Sequence, residues 1–248
     1  YDLGLQVTGP VAQTTRIAFD DLWSGSNSIV CPELNSDSPL WWTSCRREEA
    51  TSDHVPEVMK LYLASENYNA FALHRTNKFN ESDITIPATV ASAQETMDVL
   101  QVNFTLKLIC DLNLIFEVCD FRDALSYMQA MMQAIEENNV KTRVLIKPGP
   151  IEAVESNIAV KAFSDEQETK GLSHLVEFRY FQDSVHAKAV LIDDQFLLVG
   201  SQNFHYSAFG EGGLTEFNIA TDDPDAIADF KRFFDYHWEH AEPIPVKD

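Results

Sequence analysis

The sequence has no run approaching the roughly 18–20 consecutive apolar residues with which a helix crosses a bilayer, and no basic-then-apolar leader opens it. Such a chain is expected to be soluble, or peripheral at a membrane surface. Basic residues are scarce too: 18 Lys and Arg stand against 39 Asp and Glu, a formal net charge of −21. A field of that sign repels polyanions at long range, so a nucleic-acid partner and a polybasic membrane anchor are both disfavoured, although a local basic pocket is compatible with it. The four cysteines, Cys31, Cys45, Cys110 and Cys119, lack C-x-x-C spacing, which argues against a zinc site. Two readings of them stay open: a Cys31–Cys45 disulfide closing a loop of about 15 residues, worth about 3 kcal/mol in an oxidising compartment, or free half-buried thiols. No Met leads the chain, and the expectation is that it is cut or trimmed from something longer. The remainder, 248 residues at 45% apolar and 23% charged, is ordinary globular composition, enough for one large domain or two small ones.

Residues 2–8 alternate Leu3, Leu5 and Val7 with Gly or polar neighbours, the period of a strand, and Gly9-Pro10 stops it. Residues 11–23 read as a helix with Ile17, Ala18, Leu22 and Trp23 on one face. From Ser24 the chain turns serine-rich, with Pro32 and Pro39, and residues 24–83 read as a linker or excursion whose tip carries Trp41-Trp42. Beyond it, helices are predicted at 87–96, 121–138, within 157–170 and at 224–239. Strands are predicted at 97–104, 140–146, 175–181, 185–192, 196–199 and 216–220. Apolar strands alternating with helices indicate an α/β fold, a mixed β-sheet flanked by helices on its faces. One internal repeat is visible: Asp2 to Pro10 aligns without a gap on Glu216 to Pro224, and a helix with phenylalanine and tryptophan near its end follows each, Phe19 and Trp23 in one, Phe234 and Trp238 in the other. Residues 1–23 therefore read as the tail of a first repeat and 84–248 as a whole second one.

In the predicted strand 185–192, His186 and Lys188 share a face, and their neighbours on both faces are apolar. A lysine buried there costs several kcal/mol unless an anion or a hydrogen-bonding partner compensates it. Asp193 ends the strand, and a second apolar strand delivers Gly200-Ser201-Gln202-Asn203, a turn whose backbone N–H groups, hydroxyl and amide suit phosphate oxygens. Together these residues spell His186-x-Lys188-x4-Asp193-x6-Gly200-Ser201-x-Asn203.

With that spacing the chain resembles the phospholipase D superfamily, clearly over 84–248 and over 1–23 as the end of a preceding repeat. The resemblance implies two repeats about a pseudo-twofold axis, of which this chain carries the C-terminal one, each giving a His, a Lys and phosphate-contacting residues to a shared site. His54, His74, His174, His205, His237 and His240 open no second His-x-Lys-x4-Asp. The missing half is expected from an upstream repeat, encoded before Tyr1, or from a second copy of the chain. The implied mechanism is metal-free and cofactor-free: one histidine attacks phosphorus to form a phosphohistidine, and the other protonates the departing alcohol. His186 is expected to be the general acid and base, since the first repeat usually supplies the nucleophile. Lys188, Ser201 and Asn203, with Gly200 in the same turn, are expected to hold the non-bridging oxygens, and Glu216 to be the carboxylate partner of a histidine. Asp193 completes the catalytic motif and is expected to be mainly structural. The expected substrate is a phospholipid, hydrolysed or used as a phosphatidyl donor. The alternatives are a nuclease of the same superfamily and a noncatalytic phosphate-binding module.

Overall fold

In the computed structural model the described residues are 2–24, 26, 28–34, 37–48, 68–76, 80–106, 121–147, 152–209 and 213–244. They fall into two units, residues 7–66 and a larger unit made of residues 1–6 and 67–248. In the smaller unit, helix α1 (Pro10–Ser24) begins at a proline, whose fixed φ and missing N–H suit a first helical turn. Strands β1 (Ser28–Val30) and β2 (Arg46–Glu48) pair antiparallel, and a Cys31–Cys45 disulfide joins the chain directly beyond the pair. Of the two open readings of these cysteines, the bonded one holds. Cys110 and Cys119 lie outside the described residues. Inside the disulfide loop, Trp41–Ser44 form a 3-10 turn that leaves Trp42 exposed.

The larger unit follows the order β3 (Ala70–Arg75), α2 (Glu81–Ala91), β4 (Thr96–Gln101), α3 (Ser126–Asn138), β5 (Lys141–Ile146), α4 (Glu152–Lys170), β6 (Val176–Tyr180), β7 (Ala189–Ile192), β8 (Phe196–Gly200), β9 (Glu216–Thr221), α5 (Pro224–His240) and β10 (Glu242–Pro243). Its eight strands form one mixed sheet in the order β10-β6-β5-β4-β7-β8-β9-β3. Strands β4, β5 and β6 run parallel, joined by the α3 and α4 crossovers that parallel pairing requires, and the other neighbours are antiparallel. Each face of the sheet is covered. Val190 and Ile192 of β7 pack into a core with α2, α3 and α4, whereas Ala189 and Leu191 pack into a second core with Phe230, Phe234 and Trp238 of α5. Burial on both faces is why β7 reads as an unbroken apolar run.

Several elements differ from the sequence expectation. The strand read at 185–192 pairs only from Ala189, so exposed His186 and buried Lys188 precede it rather than share a strand face. The helix read at 121–138 begins at Ser126, after a 3-10 turn at Phe121–Asp123. Residues 2–8 make no ladder; Leu3 and Leu5 pack against the core beneath α5 while Asp2, Gly4 and Gln6 are exposed, so the alternation reflects one-sided packing rather than strand pairing. Helix α2 starts at Glu81 and carries Pro87 in its interior, because Ile86 and Val90 are buried in the core and override the local cost of the proline. Strand β3 lies within the stretch read as a linker and pairs with β9 over six residues, Ala70↔Thr221 to Arg75↔Glu216. Its signal is weak because Leu73 is buried while Phe71 is exposed at the sheet's edge.

Candidate active site

The topology brings several strand ends together at one end of the sheet. Leu100, near the carboxyl end of β4, pairs with Ala189 at the start of β7, and the Gly200 N–H at the end of β8 donates to the Lys188 carbonyl at 3.2 Å. Glu216 opens β9 opposite Arg75, which closes β3. Carboxyl ends of strands are the usual place for a ligand cleft in an open α/β sheet.

His186 and Lys188 lie just ahead of β7. The His186 side chain is 73% exposed, and its Nδ1 stands 3.0 Å from Asp2 Oδ1. Lys188 is buried; its Nζ donates to the His186 carbonyl at 2.5 Å and lies 3.0 Å from His186 Nε2. An ammonium has only donors, so Nε2 accepts from Lys188, and Nδ1 carries the ring proton and donates it to Asp2. The imidazole is thus held at both nitrogens in one tautomer, with Nε2 on the side of the cation. Burial pushes the Lys188 ammonium below the usual lysine value, opposed by the charges of Asp2 and Glu216 and assisted by Lys147.

The Gly200–Asn203 turn is fixed from inside. The N–H groups of Gly200, Ser201 and Gln202 go to the Lys188 carbonyl, the Phe217 carbonyl and Asn218 Oδ1. Phe204 N–H goes to Gln101 Oε1, and the Phe204 carbonyl accepts from the Tyr127 hydroxyl. These backbone donors, read from the sequence as open to phosphate, are taken because β8–β9 pairing runs on into the turn. What the turn turns toward the cleft is side chain, Ser201 and Asn203. Gly200 is required by its neighbour: a Cβ there would meet Asn218 Oδ1 at 2.1 Å. The Ser201 hydroxyl donates to Glu216 Oε2 and accepts from the Phe217 N–H. Burial raises the Glu216 carboxyl above the usual range, against the lowering pull of the Ser201 hydrogen bond and of Lys188 and Arg75. The carboxylate on His186 is therefore Asp2, and Glu216 serves Ser201. Its alignment with Glu216 in the repeat was the sequence signal for Asp2.

His186, Lys188, Ser201 and Asn203 form the polar side of an open cleft of about 400 Å³, and Leu3, Leu5, Val199 and Ile219 its apolar side. Asp193 is not among them. It sits at the far end of β7 in the hairpin turn, where it and Asp194 adopt φ of 53° and 52°. Its carboxylate accepts the N–H groups of Gln94, Glu95 and Thr96 and so pins the α2–β4 connection. Among the described residues no group of three or more His, Cys, Asp or Glu is placed to hold a metal ion, and no helix is long and apolar enough to cross a membrane.

The profile of the family described as cardiolipin synthase, PLD-like domain, matches residues 88–238. No curated protein matches the chain in sequence. Among solved structures it is similar to a phospholipase D family member, Nuc from Salmonella typhimurium, at 13% identity and a TM-score of 0.55, over 72% of this chain and 99% of that one. It is also similar to the phosphatidylserine synthase of Haemophilus influenzae Rd KW20, at 16% identity and a TM-score of 0.53, over 75% of this chain and 42% of that one. At such identities the likeness is one of fold, and the fold agrees with the family profile. The chain belongs to the phospholipase D-like family of the cardiolipin synthase-like domain.

Proposed function

We propose that this protein is a phosphodiesterase acting on phospholipids, by hydrolysis or phosphatidyl transfer, through a phosphohistidine. The observation that carries the reading is the imidazole of His186 held between Asp2 and Lys188 at the mouth of a cleft whose other polar groups are Ser201 and Asn203. Two histidines divide the work. The Nε2 of one attacks phosphorus, the bond from phosphorus to the departing alcohol breaks, and the second histidine gives that alcohol its proton. The second histidine then takes a proton from water or an incoming alcohol, whose oxygen attacks phosphorus and releases the first. His186 is the acid and base of this pair when an upstream repeat supplies the nucleophile, and takes either part when a second copy does. Asp2 steadies the imidazolium, Lys188 offsets charge on the non-bridging oxygens, Asn203 donates to them, and Ser201 donates once a phosphate oxygen replaces Glu216 as the acceptor of its one proton.

The apolar side of the cleft favours a lipid over a nucleic acid. Leu3, Leu5, Val199 and Ile219 line the same cleft as His186, Lys188, Ser201 and Asn203, where an acyl-bearing alcohol would find apolar contact, and a net charge of −21 works against a polyanion. A covalent phosphatidyl intermediate is open to any small alcohol. The full-length protein given phosphatidylglycerol or phosphatidylcholine vesicles with ethanol is therefore expected to form phosphatidylethanol, with or without chelator. Cleavage of single-stranded nucleic acid without lipid turnover would move the substrate to nucleic acid, and loss of product with chelator would point to a metal-activated water.

A further inference from the structure

Gln202 lies between Ser201 and Asn203 in sequence but points the other way, into the interior, where it is 3% exposed. Its Nε2 donates to Asp83 Oδ1 at 3.2 Å and to the Ala208 carbonyl at 2.9 Å, and its Oε1 accepts from Asn218 Nδ2 at 2.9 Å. Asp83, on α2, in turn accepts from Arg75 Nε, which lies 2.8 and 3.0 Å from its two oxygens. Arg75 is as buried as Gln202 and stands in register opposite Glu216. Its Nη1 donates to the Leu214 carbonyl at 2.7 Å, just ahead of Glu216 in the chain, and a Cβ on Gly213 would meet the guanidinium at 2.6 Å. Replacing a buried ion pair by apolar residues is often neutral or stabilising, so this pair is poorly explained by stability. What it does join is both segments that carry the site: the Ser201–Asn203 turn through Gln202, and the start of β9 through Leu214.

We propose that Arg75 and Asp83 form a positioning clamp that sets the spacing between the Ser201–Asn203 turn and Glu216, so that the side-chain donors converge on one phosphoryl group. The proposal rests on the reading of Ser201 and Asn203 as phosphate contacts. Neither Arg75 nor Asp83 touches the substrate; both act through Gln202 and the Leu214 carbonyl. A shift of a few tenths of an ångström in the turn would take the Ser201 hydroxyl out of reach of either Glu216 or the phosphate, and charged acceptors are sensitive to such misplacement.

The test is titration of the full-length protein with inorganic phosphate, followed by calorimetry, for wild type, Lys188→Ala, Asp83→Asn, Gln202→Glu, the Asp83→Asn/Gln202→Glu double variant and Asp98→Asn. Asp98 forms a separate ion pair with Arg143, at 2.6–2.7 Å, away from the cleft. By Coulomb's law alone, Asp83→Asn removes a negative charge from beside an anion site and tightens binding. The clamp predicts the opposite sign, a loss of about tenfold to a hundredfold, of the order of one hydrogen bond to a charged group. Gln202→Glu is expected to weaken binding similarly. The double variant exchanges the carboxylate and the amide across the contact and is expected to regain part of the loss, since the Ala208 carbonyl still lacks the donor that Gln202 supplies. Asp98→Asn lowers Tm and leaves phosphate affinity within about twofold. If Asp83→Asn lowers Tm with phosphate affinity unchanged or tightened while Lys188→Ala abolishes binding, the clamp is overturned and the phosphate reading stands. A double variant no better than the weaker single also overturns it. If wild type binds no phosphate, or Lys188→Ala binds as wild type does, the phosphate reading falls, and the clamp with it.

Discussion

Glu216 and Lys188 are each held where the charged form is disfavoured, which ties the site to the stability of the chain. Burial raises the Glu216 carboxyl above its ordinary value of 4.5. A carboxyl raised in the folded state stabilises the fold below the unfolded value, and that contribution is lost as pH rises through the folded value. Glu216→Gln keeps an oxygen for the Ser201 hydroxyl and removes the burden of ionisation. Its Tm is expected to match wild type at pH 4 and to exceed it by about 2 °C or more at pH 8, while turnover falls. Thermal unfolding at the two values checks this, and an equal offset at both would contradict it. The sequence displayed most of these residues, because His186 and Lys188 just ahead of β7 and Ser201 and Asn203 just beyond β8 occupy fixed spacings around one hairpin. Asp2 was marked only by its alignment with Glu216, and its contact with His186 was not legible, since 184 positions separate them and Leu3 and Leu5 pack against the core beside it. Gln202 was hidden for a different reason: an unnamed position in a motif gives no sign that its side chain is the one turned inward.

Among the elements, the β7–β8 hairpin shows how a motif residue can serve the fold rather than the chemistry. Asp193 and Asp194 both take positive φ, where Asp and Asn are tolerated best, and the Asp193 carboxylate also satisfies three backbone donors of the α2–β4 connection. Asp193→Ala is expected to destabilise the protein by about 2 kcal/mol, lowering Tm by roughly 4–8 °C, with phosphate affinity retained. Wild-type stability with lost phosphate binding would instead place Asp193 in the site. The helices and central strands were legible as elements because their apolar periods are long and their boundaries are marked, as by Asp223-Pro224, where the Asp223 side chain caps α5. The edge strand β3 was not legible, since one face is half-buried throughout and the other mixes buried Leu73 and Arg75 with exposed Phe71, which leaves no clean apolar alternation.

At the scale of the whole molecule the chain supplies one His-x-Lys half-site, and the proposed chemistry asks for two histidines. The likeness spans nearly all of Nuc and 42% of the phosphatidylserine synthase, so relatives of this fold include a chain about one such unit long and another more than twice that length. The repeat seen between Asp2 and Glu216 is consistent with the longer arrangement, and a second copy of the chain is the other route to a complete site. A net charge of −21 works against a long polyanion, while Lys188 is buried at the cleft. All of this converges on the imidazole that Asp2 and Lys188 hold. The most direct measurement is the rate of phosphodiester turnover by the full-length protein and by its His186→Ala variant, with folding of both checked by near-ultraviolet circular dichroism. A loss of at least about 10²-fold in kcat with the fold intact is expected if His186 does the proton transfer; turnover by His186→Ala near the wild-type rate would rule that role out.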